Sequence, residues 1–460
     1  MGEVAGLILA AGKGTRMKSS LPKVLHPVCG LPMAAHVARA MRQSGTGRIV
    51  FVIGAGGELV REALCEYGEF AIQPEQLGSG DACRAGMDAL ADFEGVVLVA
   101  PGDAPLATGA VFQAMLDRLE SDVAAVLATA NMEDPTGYGR ILRDDKGVVR
   151  IVEEVDASPE EKGIREVCTS FYAFRADALR EALPKLGCDN AKGEYYLTDV
   201  VSILRESGYR VETAPIRDSE LLMGVNDRWQ LAIASEAMRR RLLKEIALSG
   251  VTIEDPTSTY VDVDVRVGAD TVLHPCTVLR GRTVIGERCD IGPAVRIENS
   301  TVGDETTILM SHVNEASIGR TCRIGPFANL RPGCKLGEGV KIGNFVEAKN
   351  AELDDGVSAA HLTYLGDVHV GPSTNIGAGT ITCNYDGFAK HRTEIGAGVF
   401  VGSNTTLIAP LTIGEGAIVA AGSVITHDVP PNAMAVGRAR QENKEGYAER
   451  WRNKKQSERE

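Results

Sequence analysis

Residues 318–342 read IGRTCRIGPFANLRPGCKLGEGVKI, with an aliphatic residue at Ile318, Ile324, Leu330, Leu336 and Ile342. A spacing of six fits neither the 3.6-residue period of a helix nor the two-residue period of a strand. Six residues make one short side of a triangular coil, with the aliphatic side chain pointing inward and stacking on its equivalents above and below. The same beat runs through Val261, Val267, Leu273, Leu279, Ile285, Ile291 and Ile297, and later through Ile395, Val401, Leu407, Ile413, Val419 and Ile425. Four places after each aliphatic a small residue also turns in. Cys289, Cys322 and Cys334 stand there, which makes them core fillers rather than nucleophiles. The hexads predict a left-handed parallel β-helix over residues 251–437.

The places where the beat fails are informative too. Ile376 and Ile395 are 19 apart, one more than three hexads. The stretch between them, GAGTITCNYDGFAKHRT (377–393), loses the pattern and is expected to leave the coil as a loop. Loops thrown out from a rigid solenoid are where binding residues sit. The repeats end near Val429–Pro431. The tail, residues 438–460, carries 8 Lys/Arg against 5 Asp/Glu. By itself it is expected to be poorly ordered, and it could order against a phosphate-bearing ligand or a neighbouring subunit.

Upstream the grammar differs. Residues 1–226 alternate apolar runs (Val4–Ala10, Ile49–Ile53, Val96–Ala100, Val123–Thr129) with helical stretches such as Met33–Met41 and Asp81–Leu90. This predicts a Rossmann-like α/β domain, a mainly parallel sheet with helices on both faces and ligands at the carboxyl ends of its strands. Residues 227–250 read as one long helix joining the halves, with Asp227 at its start and Gly250 as its stop. Its basic run, Arg239–Arg241 with Lys244, is either a solvated face or a contact with an acidic neighbouring domain.

Composition bounds the function. At 460 residues each half can bury its own core. Aromatics make up only 5% while glycines number 51, which suits tight repeated turns. A net charge of -13 argues against wholesale nucleic-acid binding, although positive charge gathered in one cleft can still hold phosphates. The ten cysteines show no CxxC or Cys/His ligand spacing, so neither a zinc site nor a disulfide scaffold is expected. No apolar run approaches the ~20 residues that span a bilayer. The first apolar strand lacks the basic flank and cleavage site of a secretory leader. These features predict a cytoplasmic protein with no membrane partner.

The first strand runs into LILAAGKGTRMKSSLPKVL (7–25). Gly12 and Gly14 permit sharp turns whose N–H groups can face a phosphate, and Arg16 and Lys23 add positive charge on the same loop. The segment is not a Walker loop, because GxxxxGK[ST] is absent. It is not a Rossmann fingerprint either, because Met17 stands where the third glycine belongs. With Gln73, Glu75-Gln76-Leu77-Gly78-Ser79-Gly80, Gly102-Asp103, Tyr138-Gly139-Arg140, Glu153, Gly193–Asp199 and Gly224-Val225-Asn226-Asp227, it resembles the sugar-phosphate nucleotidyltransferase family. The resemblance implies that Leu9, Ala10, Ala11, Gly12, Lys23, Gln73, Gly78 and Ser79 bind UTP, with Gln73 and the backbone near Ala11 and Gly78 reading the uracil edge. It implies that Gly139, Glu153, Cys168 and Asn226 bind the sugar phosphate, and that Asp103 and Asn226 hold Mg²⁺. A sugar 1-phosphate would attack the α-phosphate of UTP in line, with Arg16 and Lys23 as the catalytic cations.

The β-helix half contains Arg331-Pro332-Gly333, Asn344–Lys349, HLTYLGD (361–367) and NYDG (384–387). His312, His369 and His427 read as structural. His361 lies where the hexads lapse and polar groups cluster. With these motifs, the whole chain resembles the bacterial family of bifunctional N-acetylglucosamine-1-phosphate uridyltransferases/glucosamine-1-phosphate N-acetyltransferases. The resemblance implies that His361 is the general base for acetyl transfer from acetyl-CoA to glucosamine 1-phosphate, without an acyl-enzyme. An imidazole, which titrates near neutrality, suits that task. Arg331, Lys349, Tyr364, Asn375 and Lys390 would hold the sugar phosphate. Ala378, Asn384, Tyr385, Ser403, Ala421 and Arg438 would meet acetyl-CoA, with Asn384 and Tyr385 at the reaction centre, and Glu347 would position the reacting groups. The product N-acetylglucosamine 1-phosphate would then be uridylylated to UDP-N-acetylglucosamine, an envelope precursor. The resemblance further implies a homotrimer with shared acetyltransferase sites.

Two positions depart from the family pattern. Pro101 stands for a tyrosine in Tyr-Gly-Asp, and Cys168-Thr169-Ser170 stands for Asn-Thr-Gly. Cys168 replaces an amide with a weak hydrogen-bonding group, so sugar recognition there would have to be rebuilt. Two rival readings remain at this level: a single-activity nucleotidyltransferase with a structural or regulatory β-helix, and a catalytically silent assembly subunit.

Overall fold

The computed structural model describes residues 3–145 and 147–459. The chain divides into two compact units, residues 1–242 and 243–460.

In the first unit the apolar runs become strands because β-branched and aliphatic residues suit a sheet buried on both faces. The elements are β1 (Val4–Leu9), α1 (Met33–Gln43), β2 (Arg48–Gly54), α2 (Glu58–Leu64), β3 (Glu69–Gln73), α3 (Ser79–Ala89), β4 (Val96–Pro101), α4 (Gly109–Leu116) and β5 (Val123–Asn131). Then follow β6 (Gly139–Asp144), β7 (Gly147–Val152), β8 (Glu166–Arg175), α5 (Ala176–Ala182), α6 (Val200–Glu206), β9 (Arg210–Pro215) and α7 (Arg228–Leu248). The sheet runs β9-β5-β8-β4-β1-β2-β3, with the β6/β7 hairpin attached to β8. β4, β1, β2 and β3 are parallel, so their carboxyl ends open on one edge. β8 is antiparallel to both neighbours, while the other six strands of this order run one way, so the sheet is mainly parallel as expected. Two cores, one on each face, hold the sheet between the helices.

A third, smaller cluster seats α7 through Ala234, Ala237 and Met238 on Val28, Met33, Leu106 and Val225. Asp227 starts the helix as expected, its carboxylate accepting the Gln230 N–H at 2.8 Å. Two arginines of the basic run are engaged within the first unit. Arg240 makes two 2.8 Å bonds to Glu220, and Arg241 donates to the Leu106 carbonyl at 2.9 Å.

The second unit is the left-handed β-helix. Its short strands form an 11-stranded and a 17-stranded parallel sheet that together make the coil's sides. Each strand pairs in register with its equivalent one coil on: Leu273 with Ile291, Ile291 with Ile308, Ile324 with Ile342. Leu273, Leu279, Ile291 and Ile297 are fully buried, as are Cys289, Cys322 and Cys334. Burial raises all three thiol pKa values, and Cys322 donates to the Gly337 carbonyl at 3.1 Å. They fill the core.

The excursion is narrower than its sequence suggested. Ile381–Cys383 stays in the coil as a strand, and only residues 384–392 leave it before Thr393–Ile395 resumes. The charged tail also departs from expectation. Tyr447–Ser457 forms a helix (α8) that starts at Gly446, and every residue in it is exposed.

Candidate active sites

In the first unit, the loop after β1 turns on Gly14, whose φ of 59° favours glycine. A Cβ there would lie 2.6 Å from that of Lys23, so the turn lets the loop close upon the lysine. Lys23 Nζ bonds to the Asp103 carboxylate, and it reaches Asn226 Oδ1 at 3.4 Å. Arg16 donates to the same Asn226 oxygen at 2.8 Å. The Val225 N–H donates to the Asp103 carbonyl at 2.9 Å, and the Gly102 N–H to the Leu9 carbonyl at 2.9 Å. Those backbone bonds hold the end of β4, the end of β1 and the start of α7 together. The structure thus gathers Arg16, Lys23, Asp103 and Asn226 at one point.

Beside them a cleft of about 470 Å³ is lined by Leu9, Ala11, Gly12, Lys13, Gln73, Gln76, Gly78, Ser79, Ala82 and Glu194. Ala10 is buried, and its N–H is committed to the Val52 carbonyl. The turn at Gly78 (φ 116°) is pressed so closely against residue 195 that a Cβ would lie 2.5 Å from the Tyr195 carbonyl oxygen. Tyr195 donates to the Leu77 carbonyl and Gly80 donates back to Tyr195, each at 2.8 Å. Ser79 Oγ accepts the Leu197 N–H at 3.0 Å, so the GEYYLTD segment braces the whole turn. A larger cavity of about 620 Å³, which includes Val96 and Arg175, lies at the amino end of β4, the wrong end of a parallel sheet for a ligand.

The hairpin brings Gly139 close to Glu153: a Cβ on Gly139 would lie 3.7 Å from the carboxyl. Burial raises the Glu153 pKa, and the 3.1 Å bond from Thr198 Oγ1 only partly offsets it. Thr198 lay within the motif read above, but its sequence gave no sign of the carboxylate it orients. The Cys168 side chain is buried. Its thiol is turned into the core and donates to Tyr172 Oη at 3.3 Å. Burial pushes its pKa up to about 11. The register slip between Cys168 and Tyr172, with Ser170 at φ 64°, sets which way the chain faces here.

In the second unit, consecutive coils stack the polar residues. Asn329 pairs with Glu347, Glu347 with Tyr364 and Lys349 with Gly366. Arg331 Nη1 donates to Glu347 Oε1 at 2.8 Å. Lys390 returns on the excursion through a bridge to Tyr385. It lies beside Lys349, and the two ammonium groups, with Arg331 next, push the Lys349 pKa below the ordinary lysine range. Burial acts to raise the Asp367 pKa, but bonds from Asn350 and Asn384 and the charges of Lys390 and Lys349 bring it below the usual range. Asp386 shapes the excursion by accepting the Phe388 and Ala389 N–H groups at 2.8 and 2.7 Å and meeting His391 at 2.7 Å. Tyr385 Oη is committed to the Gly387 carbonyl. Neither Asp367 nor Asp386 was singled out from sequence, although both lie in the quoted motifs.

His361 is exposed at the end of the strand Ser358–His361, paired with Asn344; one coil on, Asn375 lies beside Ser358. The neighbouring corner residues step up the coil. Gly379 N–H donates to the Leu362 carbonyl, Asn404 N–H to Ala378, and Gly422 N–H to Ser403. Arg438 follows beside Gly422. His361, Ala378, Ser403, Ala421 and Arg438 thus form one column along a corner. By contrast His369 is held between Asp354 (3.1 Å) and Glu394 (3.0 Å), as a structural histidine should be.

Fold and sites together define a nucleotidyltransferase joined to a hexapeptide-repeat acyltransferase. The chain matches the MobA-like NTP transferase domain over residues 6–184, the GMPPB C-terminal domain over 257–353 and the bacterial transferase hexapeptide over 392–427. It is 48% identical to the bifunctional protein GlmU of Geobacillus sp. (strain WCH70), over 98% of this chain and 99% of the relative. It is 46% identical to the bifunctional protein GlmU of Brevibacillus brevis, over 99% of this chain and 100% of the relative. The chain belongs to the GlmU family. It is a bifunctional enzyme, a UDP-N-acetylglucosamine pyrophosphorylase and glucosamine-1-phosphate acetyltransferase of cell-wall biosynthesis. That excludes the single-activity and silent-subunit readings.

Proposed function

We propose that the two sites above carry these activities in sequence, acetyl transfer first, with the residue roles that follow. The column running from His361 to Arg438 carries the acetyltransferase reading. Four steps of a parallel sheet span about 19 Å at ~4.8 Å per strand, long enough to lay an extended thioester along the corner. Arg331, Lys349 and Lys390 would hold the phosphate of glucosamine 1-phosphate, with Tyr364 and Asn375 on its hydroxyls. Glu347 aims Arg331. His361 takes a proton from the 2-ammonium group. The freed amine attacks the thioester carbonyl, the C–S bond breaks and CoA leaves as the thiol(ate). Asn384, fixed by Asp367, and Tyr385 would line the reacting centre.

In the first unit, Gln73, Gly78, Ser79, Ala11 and Gly12 would seat UTP, while Gly139 and Glu153 hold the sugar. A sugar-phosphate oxygen attacks the α-phosphorus as the bond to pyrophosphate breaks. Arg16 and Lys23 offset the charge of two anions that repel each other. Asp103 and Asn226 fit Mg²⁺: both oxygens contact the Lys23 ammonium, so one cation can reach both. A hard cation takes such oxygens and completes its shell with water. Among the described residues no group of three or more His, Cys, Asp or Glu suits a metal, consistent with one carboxylate and one amide as the protein's share. Bound there, Mg²⁺ supplies charge neutralisation.

A homotrimer is supported by an apolar corner of the coil. Phe327, Phe345 and Leu362 are 51, 59 and 66% exposed on successive coils, and the two rings stack at 5.3 Å. Among the described residues no helix is long and apolar enough to cross a membrane. All ten cysteines are free, which fits a reducing cytoplasm where UTP and acetyl-CoA are made. The test is incubation with glucosamine 1-phosphate, acetyl-CoA, UTP and Mg²⁺, followed by mass analysis. UDP-N-acetylglucosamine should form only when all four are present. Light scattering of the same sample should give three chains per particle.

A further inference from the structure

Gln73 ends β3 at the wall of the 470 Å³ cleft, and it is only 2% exposed. Its Nε2 donates to Asp81 Oδ2 at 2.8 Å and to the Gly78 carbonyl at 3.1 Å. Both partners are pure acceptors. An amide turned the other way would set its oxygen against a carboxylate and a carbonyl, so the orientation of the side chain is fixed by chemistry. Nε2 is fully used, and among the described residues none donates to Oε1. Gln73 lines the cleft, so a ligand seated there can donate to this oxygen.

We infer that Asp81 is a positioning residue for base selection: by pinning the Gln73 amide, it offers the cleft an acceptor and no donor, which selects a pyrimidine with an imide N–H over cytosine. This rests on the reading of the cleft as the UTP site. Uracil carries N3–H and can donate to Oε1. Cytosine presents an unprotonated N3, whose lone pair would face that of Oε1. A site built around one buried hydrogen bond rejects the analogue that leaves it unpaired. Asp81 is itself held. Its Oδ1 takes Arg84 Nη1 at 3.4 Å, and Arg84 is anchored on the Leu183 carbonyl at 3.2 Å and lies over the Tyr195 ring, 5.1 Å from its centroid. Neither Asp81 nor Arg84 lines the cleft.

Asp81→Asn turns this arrangement against itself. Arg84 keeps the new amide oxygen on its own side, so Nδ2 faces Gln73. Two donors then oppose each other, and the Gln73 amide turns to show N–H to the cleft. The experiment compares kcat/KM for UTP and CTP in the full chain and in Asp81→Asn, Asp81→Ala and Arg84→Met, with acetyl transfer and the melting temperature measured alongside. The UTP-to-CTP ratio should shrink by about tenfold or more in Asp81→Asn, through KM for the nucleotide. It should shrink part way in Asp81→Ala and hold in Arg84→Met, where the carboxylate remains. Asp81→Ala also decides the matter if Asp81→Asn folds poorly. An equal loss with both nucleotides, leaving the ratio unchanged, would make Asp81 merely structural and overturn the inference while the UTP reading stands. A parent chain that uses UTP and CTP alike would instead overturn the reading of the cleft, and the inference with it.

Discussion

The ammonium of Lys390 lies against that of Lys349, two like charges brought together from a coil and from the loop that leaves it. With Arg331 behind them they gather positive charge whose mutual repulsion the proposed phosphate would relieve. Lys390→Met should return the Lys349 pKa toward the ordinary lysine range and raise KM for glucosamine 1-phosphate by about tenfold, with kcat little changed. Steady-state kinetics and NMR titration of Lys349 check both. Binding the sugar phosphate to the parent protein should raise the Lys349 pKa. A fall or no change on binding would remove the phosphate from this cluster.

His361→Ala should lower acetyl transfer by about 100- to 10,000-fold and leave Mg²⁺-dependent pyrophosphate release from UTP intact. Separate assays of CoA release and pyrophosphate release distinguish the two halves. Acetyl transfer at parental rate would discard the imidazole as base.

In the proposed role Glu153 accepts bonds from sugar hydroxyls, more strongly as the carboxylate than as the acid, and burial raises its pKa. KM for N-acetylglucosamine 1-phosphate should therefore rise as pH falls through that elevated value, at a higher pH than for an exposed carboxylate. Glu153→Gln should raise KM by roughly 10- to 100-fold and flatten this acid limb. A pH profile of KM for the parent and the variant is the measurement, and an acid limb that survives in the variant counts against the assignment.

His274 bridges Glu254 and Asp290 on neighbouring coils. Burial acts to lower its pKa, but the bonds it donates to Asp290 and then to Glu254 outweigh it, leaving the pKa above 6.5. A histidine with a raised folded-state pKa stabilises fully below its unfolded pKa and loses that contribution as pH rises through the folded one. The β-helix should therefore melt at a lower temperature at about pH 8 than at about pH 6, and His274→Gln should reduce the difference. Calorimetry of the full chain at the two pH values tests this.

The sequence by itself determined the β-helix, because a six-residue beat is a local property: each aliphatic residue must find its equivalent one coil above, and no other fold buries that series. It also marked the loop after β1, the NYDG excursion and His361, since glycines, polar clusters and lapses of the beat are visible along the chain. Only the tertiary structure decided the rest. A strand's direction is not written in its composition, so β8 turned out antiparallel. The way a side chain faces depends on a register slip, so Cys168 turned to Tyr172 and into the core. Groups far apart in sequence meet only through folding, as do Arg16 with Asn226, Lys349 with Lys390, and Thr198 with Glu153. Periodicity is read from neighbours along the chain, whereas a binding site is a relation between residues that the chain brings back together.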